Sequence, residues 1–216
     1  MPQAPIVMTP EPMAVSLEDE LRRAWAVRAF DRVATRALEA YGPEIIGVLT
    51  VQLRSFSDAL EAYSMFTEDL WRGLPGFQWR CSFRAWAHKL ARHAAIRWAK
   101  AGPRRPERNV PLSDVAEVSA VAVQVRPRTE VHLRTEVKSA LRDLREELPC
   151  DDRTLLVLRV DKRMEWREIA VVMSDAELSD IELKREAARL RKRYQLVTER
   201  LRSLARARGL LGDEGA

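Results

Sequence analysis

The chain has 216 residues, 46% of them hydrophobic and 32% charged, with only eight glycines and a formal net charge of +5. That length allows one large domain or two small ones, and the composition supports buried cores built from helices rather than sheets. No apolar run approaches the roughly 18 residues that a membrane span needs, which argues against membrane insertion. The opening MPQAPIVMTPEPM has neither a basic n-region nor a long apolar core, so it does not read as a secretory signal, and its prolines predict a disordered tail over 1–15. Cys81 and Cys150 lie far apart in sequence. They could form a disulfide, but a reducing cytoplasm, the expected setting here, favours two free thiols.

Helical spacing begins at Ser16, an N-cap with Asp19 three residues on, and carries Leu21, Trp25, Val33 and Ala37 toward Tyr41-Gly42. Gly42 reads as the end of that helix and Pro43 as the first turn of the next, which reaches Arg54 with Ile46, Leu49 and Leu53 on one face. Ser57 is the expected cap of a third helix ending near Arg72, acidic throughout its length. The loop from Gly73 to Cys81 follows, and Ser82 caps a fourth helix that Gly102-Pro103 stops. Between 102 and 128 the periodicity disappears. Pro103, Pro106, Pro111 and Pro127 punctuate a basic stretch that reads as an extended linker, with a strand at 118–125 conceivable but unpartnered. Helical spacing returns at Thr129 through Leu133, Val137, Leu141, Leu144 and Leu148. Asp151 or Asp152 then caps a further helix, and Trp166–Met173 precedes the last one, from Glu182 to Arg208. The expected architecture is all-α. A four-helix cluster over 16–101 and a second helical cluster over 129–208 are joined by the linker 102–128, with a short tail over 209–216.

The last helix carries the strongest signal. Leu190, Tyr194, Val197, Leu201 and Leu204 lie on one face, and between Lys184 and Arg208 ten cationic residues stand against only Glu186 and Glu199. A solvated helix usually balances its charges at helical spacing. An unbalanced one offers a surface suited to a phosphate backbone. On the fourth helix, Phe83, Trp86, Ala87, Leu90, Ala94 and Trp98 form an apolar arc, read as core for Phe83 and Leu90. Arg84, His88, Lys89 and Arg92 fall outside this arc and are candidates for holding phosphates, while His93 borders it.

Enzymatic chemistry has little support, and no catalytic residue, metal site or cofactor is expected. His88 and His93 lie roughly 140° apart around a helix and share no metal-binding face. No His-Glu-x-x-His, Gly-Lys-Ser/Thr or dinucleotide motif occurs. Glu165 and Glu168 sit at a helix start, where carboxylates offset the dipole.

Phe83-Arg-Ala-Trp-Ala-His-Lys-Leu-Ala-Arg-His93 resembles the SFxxWLxxIARN stretch of RNA polymerase sigma factors of the extracytoplasmic-function type. Asp58-Ala59 with Leu70-Trp71-Arg72 resembles that family's DAxD…LWR helix. Leu148-Pro149 followed by Arg153, Leu156 and Leu158-Arg159 resembles the entry to its second domain, and Trp166-Arg-Glu-Ile-Ala170 its xxEIA helix. The resemblance implies a non-enzymatic initiation factor, with a region 2-like domain that docks on core RNA polymerase and captures the melted −10 promoter element. A region 4-like helix-turn-helix domain would read the −35 element. Carried onto this sequence, the −10 candidates are Gln78, Trp79, Arg80, Ser82, Trp86, Arg92 and His93. His93 stands where the family usually has Asn, and Arg97 where it often has Asp. Trp79 reads equally well as a base contact and as a residue folded back on the bundle. The −35 candidates are Arg185, Arg189, Arg191, Lys192 and Gln195, placed late because an eight-residue stretch, Ser174–Ile181, precedes the expected helix. The polymerase-facing candidates are Asp58, Glu61, Ser64, Glu68 and Asp69, on a helix whose carboxylates would repel DNA. Such families are commonly held inactive by an anti-sigma factor, a partner that no residue here marks. The alternative from a different class is a stand-alone helix-turn-helix transcriptional regulator, its front bundle serving to dimerise or sense a ligand.

Overall fold

The computed structural model describes residues 16–102 and 143–210, and its regular elements there are all helical. The expected tails over 1–15 and 211–216, the linker with its conceivable strand, and the helix begun at Thr129 up to residue 142 lie outside the described residues.

Helix α1, Leu17–Ala26, starts where expected. The Ser16 hydroxyl accepts a hydrogen bond from the Asp19 amide, and Glu18, Asp19 and Glu20 face the positive end of the helix dipole. The next boundary falls elsewhere than the periodicity suggests. The chain turns over Val27–Ala29, with Arg28 in the left-handed region at φ 57°, and α2 then runs from Phe30 to Leu53 straight through Gly42-Pro43. Gly42 does not terminate a helix. It is a point of close approach, since a Cβ there would lie 2.7 Å from the Tyr63 hydroxyl of α3. Proline inside a helix is unfavourable by about 3 kcal/mol relative to alanine. Burial of Tyr41, Ile45, Val48 and Leu49 on both sides of Pro43 holds the helix together regardless.

Arg54, at φ 57°, ends α2, and Ser55 rather than Ser57 caps α3, Phe56–Gly73. After a 3₁₀ turn at Leu74–Gly76, Ser82 caps α4, Phe83–Lys100, by accepting the Ala85 amide at 3.1 Å. These four helices enclose one core that includes Leu21, Val33, Ile45, Leu49, Phe66, Leu70, Phe83 and Ala94.

In the second stretch residues 143–146 are helical, and Leu144 and Leu148 are buried. Helix α5, Cys150–Leu156, begins directly after Pro149, so Asp151 and Asp152 occupy its first turn instead of capping it. It passes into a π turn, Val157–Asp161, before α6, Trp166–Met173, and α7, Asp180–Ala207. Helix α7 opens two residues earlier than the sequence suggests, because Ser179 and Glu182 form a reciprocal capping box.

The two stretches are packed together. A second core joins Val48 of α2 and Ala85 of α4 to Leu155, Leu158, Met164, Ile169 and Leu183. Arg153, buried among them, donates to the Val51 and Gln52 carbonyls at 3.3 Å and to Leu148 at 2.7 Å. The last carbonyls of a helix have no partner within it, so this guanidinium closes the end of α2 from the other stretch. Cys81 and Cys150 are both free thiols.

Phe83 is fully buried between Phe77, Trp79 and Trp86, with ring centroids 5.3–6.1 Å away. Phe83→Ala is expected to lower the free energy of unfolding by about 3–5 kcal/mol in urea titrations, through lost burial and the cavity left behind.

Candidate nucleic-acid interface

The loop before α4 is built on aromatic packing. The Trp25 indole N–H donates to the Leu74 carbonyl at 2.8 Å, fixing the 3₁₀ turn against α1. Phe77 stacks on Trp86 at 4.5 Å and an interplanar angle of 23°. Gly73 lets Trp86 lie under the turn, since a Cβ there would come within 2.9 Å of the indole. Trp79, in the left-handed region at φ 56°, turns inward to Phe77 and Trp25, at 4.9 and 6.4 Å, and the Arg22 guanidinium covers its ring at 4.8 Å. Trp79 and Trp86, both −10 candidates, therefore have protein partners on their faces. Gln78 and Arg80 are exposed beside them.

The polar side chains of the first half of α4 are paired within the protein. Glu18 of α1 accepts the Phe83 and Arg84 amides at 2.8 and 3.0 Å, satisfying the first turn of α4. Arg84 pairs with both oxygens of Glu44, at 2.7 and 3.0 Å, and reaches the Lys162 carbonyl at 2.9 Å. His88, only 1% exposed, places Nε2 2.6 Å from the same carboxylate. Burial disfavours the ionised form of Glu44, but hydrogen bonds from His88 and Arg84 outweigh it and hold its pKa at about 2. Arg84 and His88, read from sequence as phosphate holders, are instead internal. The reason is that α6 packs along the side of α4 that the apolar arc leaves open, while α5 and the π turn pack on α2 and bring the Lys162 carbonyl to Arg84.

The remaining cations of α4 meet the turn between α6 and α7. Arg92, 9% exposed, donates to Asp175 at 2.6 Å and lies 3.8 Å from Asp151. Lys89 donates to the Ala176 carbonyl at 3.0 Å, and Arg80 to Glu177 at 2.8 Å. His93 Nε2 comes within 3.5 Å of Asp175 without forming a hydrogen bond. Burial and the neighbouring Lys89 push its pKa below the ordinary histidine value, partly opposed by Asp175. Ser82 donates to Glu168 of α6 at 2.6 Å while capping its own helix. Of the −10 candidates, Arg80, Ser82, Arg92 and His93 thus converge on one surface, and that surface is occupied by the second stretch. The carboxylates that occupy it are not assigned a role by the sequence reading. Asp175 and Glu177, two residues apart in the turn before α7, are the signal that could have found them.

The −35 candidates behave differently. Arg185, Arg189, Arg191, Lys192 and Gln195 are all exposed along α7, while Leu183, Ala187, Leu190 and Val197 are buried on its inner face. Arg191 lies over the Trp166 ring at 5.6 Å, and Arg189 contacts Glu186 at 3.4 Å. Arg193 faces inward to Asp152 at 2.6 Å. On α3, Glu61, Ser64 and Glu68 are exposed and share that surface with Leu60 and Trp71, 44% and 54% exposed. Asp58 is half-buried, and Asp69 is paired with Arg97 of α4.

Residues 37–105, which begin within α2 and take in α3 and α4, match the family described as Sigma-70 region 2. The chain is also 28% identical over 156 residues to the RNA polymerase sigma-H factor of Pseudomonas aeruginosa, covering 68% of this chain and 75% of that protein. Both similarities support a sigma factor. No helix among the described residues is long and apolar enough to cross a membrane.

Glu44 has a folded-state pKa depressed below the ordinary 4.5, so it stabilises the fold above about pH 4.5, and that contribution is lost as pH falls toward 2. Glu44→Gln is expected to cost about 1–3 kcal/mol at neutral pH. It should also flatten the acid-side loss of stability relative to the parent, measured by denaturant titrations between pH 7 and pH 2.

Proposed function

We propose that this chain is an alternative sigma factor of the extracytoplasmic-function type. In this reading it binds core RNA polymerase in the cytoplasm and directs promoter recognition, melting and initiation without catalysing a reaction itself. The observation that carries the reading is that the matched residues 37–105 contain the loop and helix holding every −10 candidate, while the exposed arginines of α7 lie outside them. Residues 16–101 act as the polymerase-docking and −10 unit, residues 129–208 as the −35 unit, and residues 102–128 as the tether between them.

Asp58, Glu61, Ser64, Glu68 and Asp69 would face polymerase. The exposed Trp71 and Leu60 add apolar area to that surface, and acidic side chains there disfavour a phosphate backbone. Arg80, Ser82, Arg92 and His93 would hold the separated −10 strand through phosphate contacts, with Gln78 placed for a base edge. Trp86 and Trp79 would need to leave their present partners to stack on a base. Arg185, Arg189, Arg191, Lys192 and Gln195 would enter the major groove. There Arg and Lys suit guanine, Gln suits adenine, and the remainder bind phosphates. An anti-sigma factor would be the natural regulator of such a chain.

Run-off transcription over a promoter library, with core polymerase and the purified chain, is the decisive test. Initiation that depends on both components supports the reading. Strong sequence-specific duplex binding by a dimer, without polymerase, would instead favour a stand-alone helix-turn-helix regulator. In the initiating complex, Arg185→Ala with Arg189→Ala is expected to reduce use of −35-dependent promoters at least about tenfold. It should also lessen the salt dependence of promoter binding by about one unit of log–log slope per phosphate contact removed.

A further inference from the structure

We propose that Trp166 is a positioning residue for duplex recognition: its ring holds the Arg191 guanidinium in place and leaves the N–H donors of that group free for a phosphate of the DNA backbone. This rests on the sigma-factor reading above and gives the start of α6 a part in it.

The indole is itself held on several sides. Trp166 is the first residue of α6, whose start is fixed by Glu168 accepting the Glu165 amide at 3.1 Å. Its ring meets Tyr194 of α7 edge-on, with centroids 5.5 Å apart and an interplanar angle of 71°, and both rings pack against the second core. Arg159 lies over the same indole at 4.9 Å, and its Nη1 donates to the Met164 carbonyl at 2.9 Å. A tryptophan has only two side-chain torsions to turn, so one pinned in this way presents a fixed face.

Arg191 projects from α7 over that ring, its guanidinium carbon 5.6 Å from the centroid, close enough for the ring quadrupole to attract the cation. Its neighbours on α7 are held differently. Arg193 donates to Asp152, and Arg189 contacts Glu186. A carboxylate occupies the in-plane N–H groups of a guanidinium, the same groups that a phosphate needs. An aromatic ring occupies the face of the cation and leaves its edge open. Among the described residues, Arg191 has no carboxylate within ion-pair distance and donates no side-chain hydrogen bond. It is thus ordered by the protein without being neutralised by it, and a side chain ordered beforehand loses less rotamer freedom on binding.

Its location suits the backbone rather than a base edge. A groove of about 320 Å³ opens between the start of α6 and the outer face of α7, lined by Trp166, Arg167, Lys184, Ala188 and Arg191, with Glu165 as its acid. In a helix-turn-helix the first helix crosses the phosphate backbone while the N-terminal part of the second contacts bases. Trp166 belongs to the first helix of the pair, and Arg191 lies about three turns into the second, well past Arg185.

The test is a double-mutant cycle in the full-length protein bound to core polymerase, with affinity for a −35-dependent promoter measured by fluorescence anisotropy over a range of salt concentrations. The variants are Trp166→Leu, Arg191→Ala and the two combined, with Trp166→Phe as the conservative replacement. Trp166→Leu is expected to weaken promoter binding about three- to fivefold in the parent and to have no effect once Arg191 is alanine. Arg191→Ala should lower the log–log salt slope by about one, the mark of one lost phosphate contact. Trp166→Phe keeps an aromatic face and should stay within about twofold of the parent. An equal loss from Trp166→Leu with and without Arg191 would reveal a role in the fold alone and overturn the proposal. An unchanged salt slope in Arg191→Ala would overturn it too. Failure of the parent chain to initiate with core polymerase at any promoter of a library would overturn the sigma-factor reading, and the positioning role with it.

Discussion

Helix α4 carries Arg84, His88, Lys89, Arg92, His93 and Arg97 along its length and yet is covered on two sides. A buried charge is tolerable only when paired and hydrogen-bonded, so every neighbour of α4 must bring an anion or a carbonyl to it. Glu44 does so from α2, Asp69 from α3, and Asp175 from the turn before α7. Most of the packing geometry follows from that requirement. Continuity of α2 through Gly42-Pro43 places Glu44 one residue beyond the proline, beneath Arg84 and His88. Had the helix ended at Gly42, the carboxylate that neutralises the centre of α4 would sit in a loop.

The two cationic surfaces of the molecule are consequently in different states. The outer face of α7 is exposed, and its basic side chains have few anions near them, Glu186 beside Arg189 and Glu182 near Arg185 being among these. The outer face of α4 is neutralised by the same polypeptide that presents α7. In the proposed function these would serve duplex and single strand respectively. Duplex is present before a promoter opens and the separated strand only afterwards. Availability of the two surfaces in this arrangement parallels the order in which their ligands would arise.

Local capping chemistry is legible in the sequence at several ends. Ser16 and Ser82 cap helices as their spacing indicates, and the apolar face of α7 packs as its periodicity requires. Where sequence and structure disagree, tertiary contacts override a local rule. Gly42 resembles a terminator because glycine commonly ends helices, but its missing Cβ serves Tyr63 across the bundle. Ser57 has the chemistry of a cap, whereas the left-handed Arg54 has already reset the chain and leaves Ser55 to do it. His88 and Arg84 fall outside the apolar arc, which by itself points to the surface. Periodicity reports one buried face of a helix, and a second covering face made of Val48, Ala85 and ion pairs leaves almost no hydrophobic trace. The proposed −10 residues rest on resemblance, and nothing in their spacing indicates that Asp175 and Glu177 lie against them.

The covering of α4 is asymmetric in strength. Near the C-terminus of α2, Arg153 spans to four carbonyls and Arg84 ties Glu44 to the Lys162 carbonyl just past the π turn, and both interactions are sheltered from water. At the other end, Arg80–Glu177 and Lys89–Ala176 sit at the rim, where hydration and salt compete with them. Opening would therefore begin at the α6–α7 turn rather than at the Arg153 anchor, uncovering Arg80, Lys89 and Arg92 before the second core parts.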